Sequence, residues 1–385
     1  MFELLFLLLP VAAFYGYYMG HNASRQKQQN TKHEQNSTYL KGFDYLLNNK
    51  QEKAVDKFIA FLNSKDPTYE SSLALGNFFR KRGEVDKAIA LHEKMSQDET
   101  LLESDRELAL LELSRDFISA GLLDRAESIL LSIVDIPRQQ KEAAYLLLTV
   151  YEKEQDFHKA ISVFESYKEV LAPYTKHLAQ YYCELSKKMI LDNNQSGAVS
   201  ILKKAIDVHK NGVRARLELA DIYISMGKFA EAHSLVKEVS SIEPSYGILC
   251  LDRIKKCFPN SVDPKYRYAL EDLVHRTNSV SAMCELVRLV AEDSGIKDAE
   301  ALLYSFTKIK ANLRLYSLLL ELCAKEDPTS AESLMKLKSM IDAHLATVNI
   351  YTCPNCGFES LFMFWMCPSC RKWESLKPKI GIDGD

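Results

Sequence analysis

The chain has 385 residues, enough for one large domain or two ordinary ones, and a formal net charge of −3 from 49 basic and 52 acidic side chains. That balance argues against nucleic acid or anionic lipid as the main partner. Apolar residues make up 47% and the 14 glycines and 11 prolines are few, which fits a mostly helical chain with a sizeable core.

The first segment reads ELLFLLLPVAAFYGYYMG and carries no charge from Leu4 to Met19. It predicts a transmembrane anchor over residues 1–20, with Tyr15, Tyr17 and Tyr18 at the interfacial end. A cleaved signal peptide fits less well. No Lys or Arg precedes the apolar run, and GHNASRQKQQ offers no small-residue cleavage site. Arg25, Lys27 and Lys32 follow the span, so the positive-inside rule puts the bulk of the chain on the cytoplasmic side. Residues 21–37 are polar and rich in Gln and Asn, and read as a tether.

From residue 38 to 346 the pattern is that of helical repeats, clearest over 38–245. Ala54, Ala88, Ala126, Ala160, Ala198 and Ala232 recur at separations of 34, 38, 34, 38 and 34 residues. A 34-residue period is the tetratricopeptide length. Large apolar residues precede the alanines in similar order: Leu75 and Phe79, Leu113 and Phe117, Leu147 and Tyr151, Leu185 and Met189, Leu219 and Tyr223. Each unit is expected to be two antiparallel helices, with the small alanine where they approach closely. Stacked units then bury one core that no single unit could form. After Pro244 the phase fades, and degenerate repeats are expected through Leu345. Leu270, Leu273 and Val274 are expected to pair with Leu286, Leu289 and Val290, and 299–309 with 313–324.

Such arrays bind on the face formed by the first helix of each unit. Asn77, Arg80, Arg115 and Arg216 are the candidate partner-binding positions, with a solvated polar side chain the competing reading of each. Cys183, Cys250, Cys257, Cys284 and Cys323 stand singly in apolar surroundings, which predicts reduced core residues and a reducing compartment. No His-Glu-x-x-His helix, phosphate-binding loop or dinucleotide glycine pattern occurs. A binding protein with no catalytic residues is expected.

The tail, residues 350–385, contains Cys353, Cys356, Cys367 and Cys370 as two Cys-x2-Cys pairs. Two such hooks facing each other make a tetrahedral four-sulfur site, which suits one iron or zinc ion and leaves no open position. A strand, a turn and a return strand are expected between the pairs. A domain this small needs the folding free energy that metal binding supplies. Phe358, Phe362, Phe364, Trp365 and Trp373 are expected to pack around the hooks or against the helices, and Arg371, Lys372, Lys377 and Lys379 to offset the negative charge of four thiolates.

Three segments, ELLFLLLPVAAFYGYYMG, LALGNFFRKRGEVDKAI and CPNCGFESLFMFWMCPSCRKWESLKPKIGIDG, together resemble the lipopolysaccharide assembly protein B family over essentially the whole chain. The resemblance implies an all-α fold: a tetratricopeptide-repeat superhelix behind an N-terminal transmembrane helix, ending in a small rubredoxin-like or zinc-ribbon metal domain. It implies a single-pass inner-membrane protein with a periplasmic N-terminus. It further implies a modulator of lipopolysaccharide synthesis that promotes degradation of the lipid A deacetylase by the membrane AAA metalloprotease. A membrane-anchored lipopolysaccharide-sensing regulator and other lipopolysaccharide assembly proteins are further implied partners. A non-proteolytic scaffold for synthesis and export proteins is the alternative. The family's metal-binding cysteines fall on Cys353, Cys356, Cys367 and Cys370.

Overall fold

The alanine spacing asks for paired helices, and the computed structural model contains them. It describes Met19 and residues 68–260, 263–326 and 328–385. Met19 apart, the expected anchor, the tether and the repeat around Ala54 lie outside these residues. Among the described residues no helix is long and apolar enough to cross a membrane. The chain divides into two compact units between Gln155 and Asp156.

The first unit holds α1 (Tyr69–Lys81), α2 (Val85–Gln97), α3 (Glu103–Ala120), α4 (Leu123–Ile133) and α5 (Gln140–Glu154). Helices α1 and α2 form one hairpin, α3 and α4 the next, and α5 packs on α4. Leu75, Phe79, Leu113 and Phe117 are buried in this core. The hairpins are also joined by a polar network. Buried His92 places Nδ1 2.5 Å from Asp116 Oδ2, and Arg80 donates to Asp116 Oδ1 at 2.8 Å and to Glu112 Oε2 at 2.5 Å. This network explains Gly76: a Cβ there would lie 2.3 Å from the His92 ring.

The second unit holds α6 (Phe157–Ser166), α7 (Thr175–Leu191), α8 (Gln195–Val208), α9 (Arg214–Ser225), α10 (Phe229–Ile242) and α11 (Gly247–Cys257). It continues through α12 (Pro264–Thr277), α13 (Val280–Asp293), α14 (Ile296–Ile309), α15 (Leu313–Glu326) and α16 (Ala331–Leu345). Ala88, Ala126, Ala160, Ala198 and Ala232 are all fully buried, so the residue that carries the period is the one with no room beside it. Five places before each stands a residue with positive φ: Gly83, Gly121, Gln155, Asn193 and Gly227. Glycine takes that conformation freely and asparagine with little penalty, whereas glutamine adopts it against its preference.

The fading of the sequence pattern after Pro244 does not interrupt the core. One apolar cluster runs from Val213 to Leu322 and includes Cys250, Cys257 and Cys284. Burial pushes the Cys250 thiol up to about 12 and those of Cys257 and Cys284 to about 11, as befits inert core residues. Both expected late pairs pack, α12 against α13 and α14 against α15, but the closer hairpins fall one helix later. The hairpins are α13 with α14 and α15 with α16, while 299–309 and 313–324 touch as neighbours from successive hairpins. Apolar periodicity alone does not separate these alternatives, because every helix in such an array packs on both of its chain neighbours.

Beyond α16 the chain forms three two-residue strands: β1 (Tyr351–Thr352), β2 (Glu359–Ser360) and β3 (Lys377–Pro378). Their order is β2–β1–β3 with both pairings antiparallel, Tyr351 lying opposite Ser360 on one side and Pro378 on the other.

Candidate metal centre

The same backbone turn is used twice. In the first hook Gly357 N–H donates to the Cys353 carbonyl at 2.8 Å, and in the second Arg371 N–H donates to the Cys367 carbonyl at 2.9 Å. Cys353 N–H reaches Phe358 O at 2.8 Å, and Cys367 N–H reaches Lys372 O at 3.0 Å. The residue after each second cysteine is left-handed, Gly357 at φ 76° and Arg371 at φ 57°. Strands β1 and β2 bracket the first hook, and a bridge between Met366 and Trp373 brackets the second. The ten residues between the pairs therefore do not hold a strand, turn and return strand of their own. Each hook is itself the hairpin turn, so its strands flank it.

The four sulfurs converge. Cys353 Sγ is 3.7 Å from Cys370 Sγ, Cys356 Sγ is 3.7 Å from Cys367 Sγ, and all four lie within 4.8 Å of one another. A tetrahedral centre with metal–sulfur bonds of about 2.3 Å has sulfur–sulfur edges of about 3.8 Å. The donor set therefore fits one zinc or iron ion. Burial opposes charge on Cys353, but the Ser375 hydroxyl at 3.5 Å and the amides of Asn355 and Cys356 outweigh it and bring the thiol down to about 6. The Lys372 amide lowers Cys370, while burial pushes Cys367 up to about 11. A divalent ion bound by these four sulfurs would favour their thiolate forms. Four protein ligands would leave such an ion no open position for a substrate, which suits a structural role.

The domain is fastened to the helices through a residue that the sequence did not single out. Arg214, at the start of α9, is fully buried. Its guanidinium donates to Glu218 Oε1 at 2.7 Å, Glu184 Oε1 at 2.6 Å and Gln180 Oε1 at 3.0 Å. The same guanidinium lies 5.6 Å from the Trp373 ring and 6.0 Å from the Trp365 ring. Its backbone N–H reaches Glu374 at 3.3 Å. Burial works against the charge, but Glu218 and Glu184 hold the arginine protonated. Around this anchor, the buried Tyr246 hydroxyl donates to Leu376 O at 3.0 Å and Lys377 pairs with Glu243 at 2.5 Å. The last residues dock as well: the Asp385 carboxylate accepts from Ser281 N–H at 2.7 Å and Ser279 Oγ at 2.6 Å, and Asn312 donates to Gly381 O at 3.0 Å.

Three of the basic residues near the cysteines also have polar partners of their own. Lys372 reaches Asn355, Lys377 reaches Glu243 on the helices, and Lys379 lies 3.6 Å from Glu359. Of the aromatic residues, Trp373 is buried and Trp365 joins the core of the second unit, whereas Phe362 and Phe364 are exposed.

The four candidate partner-binding residues engage groups within their own units. Asn77 Oδ1 accepts from Arg80, itself held by Glu112 and Asp116. Arg115 pairs with Glu142 at 2.9 Å. Arg216 is buried, with Nε 2.9 Å from Glu238 and Nη1 2.6 Å from Gly212 O.

Comparison with known proteins agrees with this layout. A family described as "Rubredoxin metal binding domain" matches residues 351–378, and two described as "Tetratricopeptide repeat" match residues 71–107 and 191–246. Lipopolysaccharide assembly protein B of Escherichia coli (strain K12) is 32% identical over 388 residues, covering 100% of both chains. Its namesake from Haemophilus influenzae is 33% identical over 391 residues, covering 98% of both. Among solved structures, the C-terminal part of a repeat protein from Cytophaga hutchinsonii is similar at 12% identity and a TM-score of 0.40, covering 61% of this chain and 94% of that one.

Proposed function

The chain belongs to the lipopolysaccharide assembly protein B family, and from that premise we propose that it is an inner-membrane adaptor promoting degradation of the lipid A deacetylase by the membrane AAA metalloprotease. It acts in lipopolysaccharide assembly and works through contacts with the proteins of that process. Similarity that runs from one end of the chain to the other is the observation that carries the reading. Residues 1–20 anchor the chain with its N-terminus in the periplasm and its bulk in the cytoplasm. Confinement to the membrane raises its effective concentration beside a membrane protease. The helical repeats grip protein surface, and the metal domain, bolted to α9 through Arg214, extends the rigid body that partners meet. No step of this delivery needs catalysis by the chain itself. A membrane-anchored regulator that senses lipopolysaccharide restrains this degradation.

The test is the half-life of the lipid A deacetylase in normal cells, in cells depleted of this protein, and in cells carrying Cys367→Ser at matched membrane abundance. Depletion is expected to lengthen the half-life, and the cysteine variant to behave like depletion. An unchanged half-life on depletion sinks the adaptor and leaves a scaffold that organises synthesis and export proteins without proteolysis.

A further inference from the structure

Residues 379–385 close into a turn. Asp385 N–H donates to Lys379 O at 2.8 Å, and Lys379 N–H donates to Ile350 O at 2.7 Å. Strand β3 leads into this turn, and Ile350 immediately precedes β1, which runs straight into the first metal hook. Glycine is required inside it, because a Cβ on Gly384 would collide with the Lys379 carbonyl. The turn reaches the ends of four helices, α12 to α15. At the start of α13 the Asp385 carboxylate accepts from Ser281 N–H at 2.7 Å and from Ser279 Oγ at 2.6 Å, and Ser279 Oγ accepts from Ala282 N–H at 3.3 Å. At the start of α15, Leu313 N–H donates to Ile382 O at 2.7 Å. Fully buried Asn312 donates to Gly381 O at 3.0 Å and Gly384 O at 3.1 Å, and its Oδ1 accepts from Arg314 N–H at 2.8 Å. Lys310, just past α14, donates to the Asp385 carbonyl at 2.8 Å and to the Asn278 carbonyl, just past α12, at 3.2 Å.

The first N–H groups of a helix have no partner within it, so its first turn frays unless another group accepts from them. For Ser281 and Leu313 the acceptors belong to a turn whose place is set by the sheet of the metal domain. A sheet this small depends on the bound ion for its folding free energy. We infer that residues 379–385 are a strap through which metal binding clamps the late helices. With the ion bound, the strap caps α13 and α15 together. Without it, the same acceptors sit on a segment no longer held by β3 and Ile350, and their effective concentration at the two helix starts falls. The inference goes beyond the adaptor reading and survives its failure, because neither protease nor deacetylase enters its test.

The test is amide hydrogen exchange, read by mass spectrometry on the full chain in detergent micelles, zinc-loaded and after chelation. Chelation is expected to speed exchange in the first turns of α13 and α15 roughly fivefold, the factor for one lost cap of typical strength, and to leave the middles of both helices unchanged. Gly384→Ala breaks the strap without touching a cysteine or a helix. It is expected to keep its zinc and the parent's tryptophan emission, yet to exchange at these two turns in the loaded form as fast as the chelated parent. Asp385→Ala removes the acceptor at α13 alone, so it loosens α13 more than α15, and it decides the matter should Gly384→Ala lose its zinc. The inference is overturned if chelation leaves both first turns as protected as in the loaded parent, or if the loaded variants exchange like the parent. It is also overturned if α13 and α15 loosen along their whole length, since the hairpins then lean on the metal domain as a body and not on the strap.

Discussion

From Val213 to Leu322 the helical hairpins share one unbroken apolar cluster, whereas the metal domain's own cluster has four buried members, Tyr351, Cys353, Cys367 and Leu376. Two of those four are metal ligands. The hairpins are thus held by many small terms spread along the chain, and losing any one is felt locally. The metal domain is held by a single large term plus a dock. It borrows apolar cover from Leu249 on α11 and sends Met363 and Trp365 into the helical core in return. The difference predicts where each region fails and how steeply.

Removing the metal gives the largest contrast. Structural zinc supplies roughly 10–16 kcal/mol of apparent folding free energy in small finger domains, far more than four buried side chains provide. Chelation, or Cys367→Ser, is therefore expected to unfold residues 350–378 while the helices persist. The chain's two tryptophans, Trp365 and Trp373, both sit on the dock, so their emission isolates this event. A red shift in tryptophan emission with nearly constant far-ultraviolet circular dichroism is the expected result. Loss of helix in step with the emission change would show instead that the two regions are one cooperative unit.

The anchor of the dock comes next. Arg214→Met leaves Glu184 and Glu218 without the cation that both contact, and ends two cation–π contacts. Breaking a buried pair by removing one partner costs about 3–5 kcal/mol. Because Arg214 belongs to α9 and contacts Gln180 and Glu184 on α7, this substitution is expected to lower the helical melting transition as well as the tryptophan one. Arg214→Lys keeps the charge but not the planar fork, and is expected to recover only part of the loss. A variant that moved the tryptophan transition alone would mean that Arg214 serves the dock and not the stacking of α7 and α9.

These contacts also mark what the sequence could disclose. Spacing exposes whatever recurs: the alanines at Ala88 to Ala232 are one residue type at one place in each unit, and the paired cysteines are read directly from their intervals. Single, long-range partnerships leave no such trace. Arg214 meets Glu374 across 160 positions and Tyr246 meets Leu376 across 130, so neither end predicts the other. Local conformation is only half legible for a related reason. Gly83, Gly121 and Gly227 advertise a left-handed turn, but Gln155 fills the equivalent place and hides it. Which helices after Pro244 form the closer hairpins escapes the sequence because apolar stripes mark buried faces without saying which neighbour covers them. Arg80 and Arg216 read as surface arginines until His92, Asp116 and Glu238 are placed beside them.

The smallest expected effect belongs to the rim of the dock, where Lys377 pairs with Glu243. Both side chains keep about a third of their exposure, so solvent screening limits the pair to roughly 0–1 kcal/mol at neutral pH. Burial alone raises the Glu243 carboxyl, but hydrogen bonds from Lys377 and Ser245 prevail and hold it below the usual carboxylate range. A carboxylate with a depressed folded pKa stabilises fully above its unfolded value of about 4.3, and that stabilisation is lost as pH falls through the folded value. Lys377→Met is therefore expected to weaken the dock slightly at pH 7 and to flatten its acid dependence. The measurement is the tryptophan-monitored melting midpoint of both proteins between about pH 3 and 7. Acid also protonates the metal-binding thiolates, but that loss is common to parent and variant, so only the gap between the two curves reports on Glu243. If the gap stays constant down to the lowest pH, the ion pair contributes nothing that titrates. The rim would then act by packing alone, and acid would release the dock entirely through the metal centre.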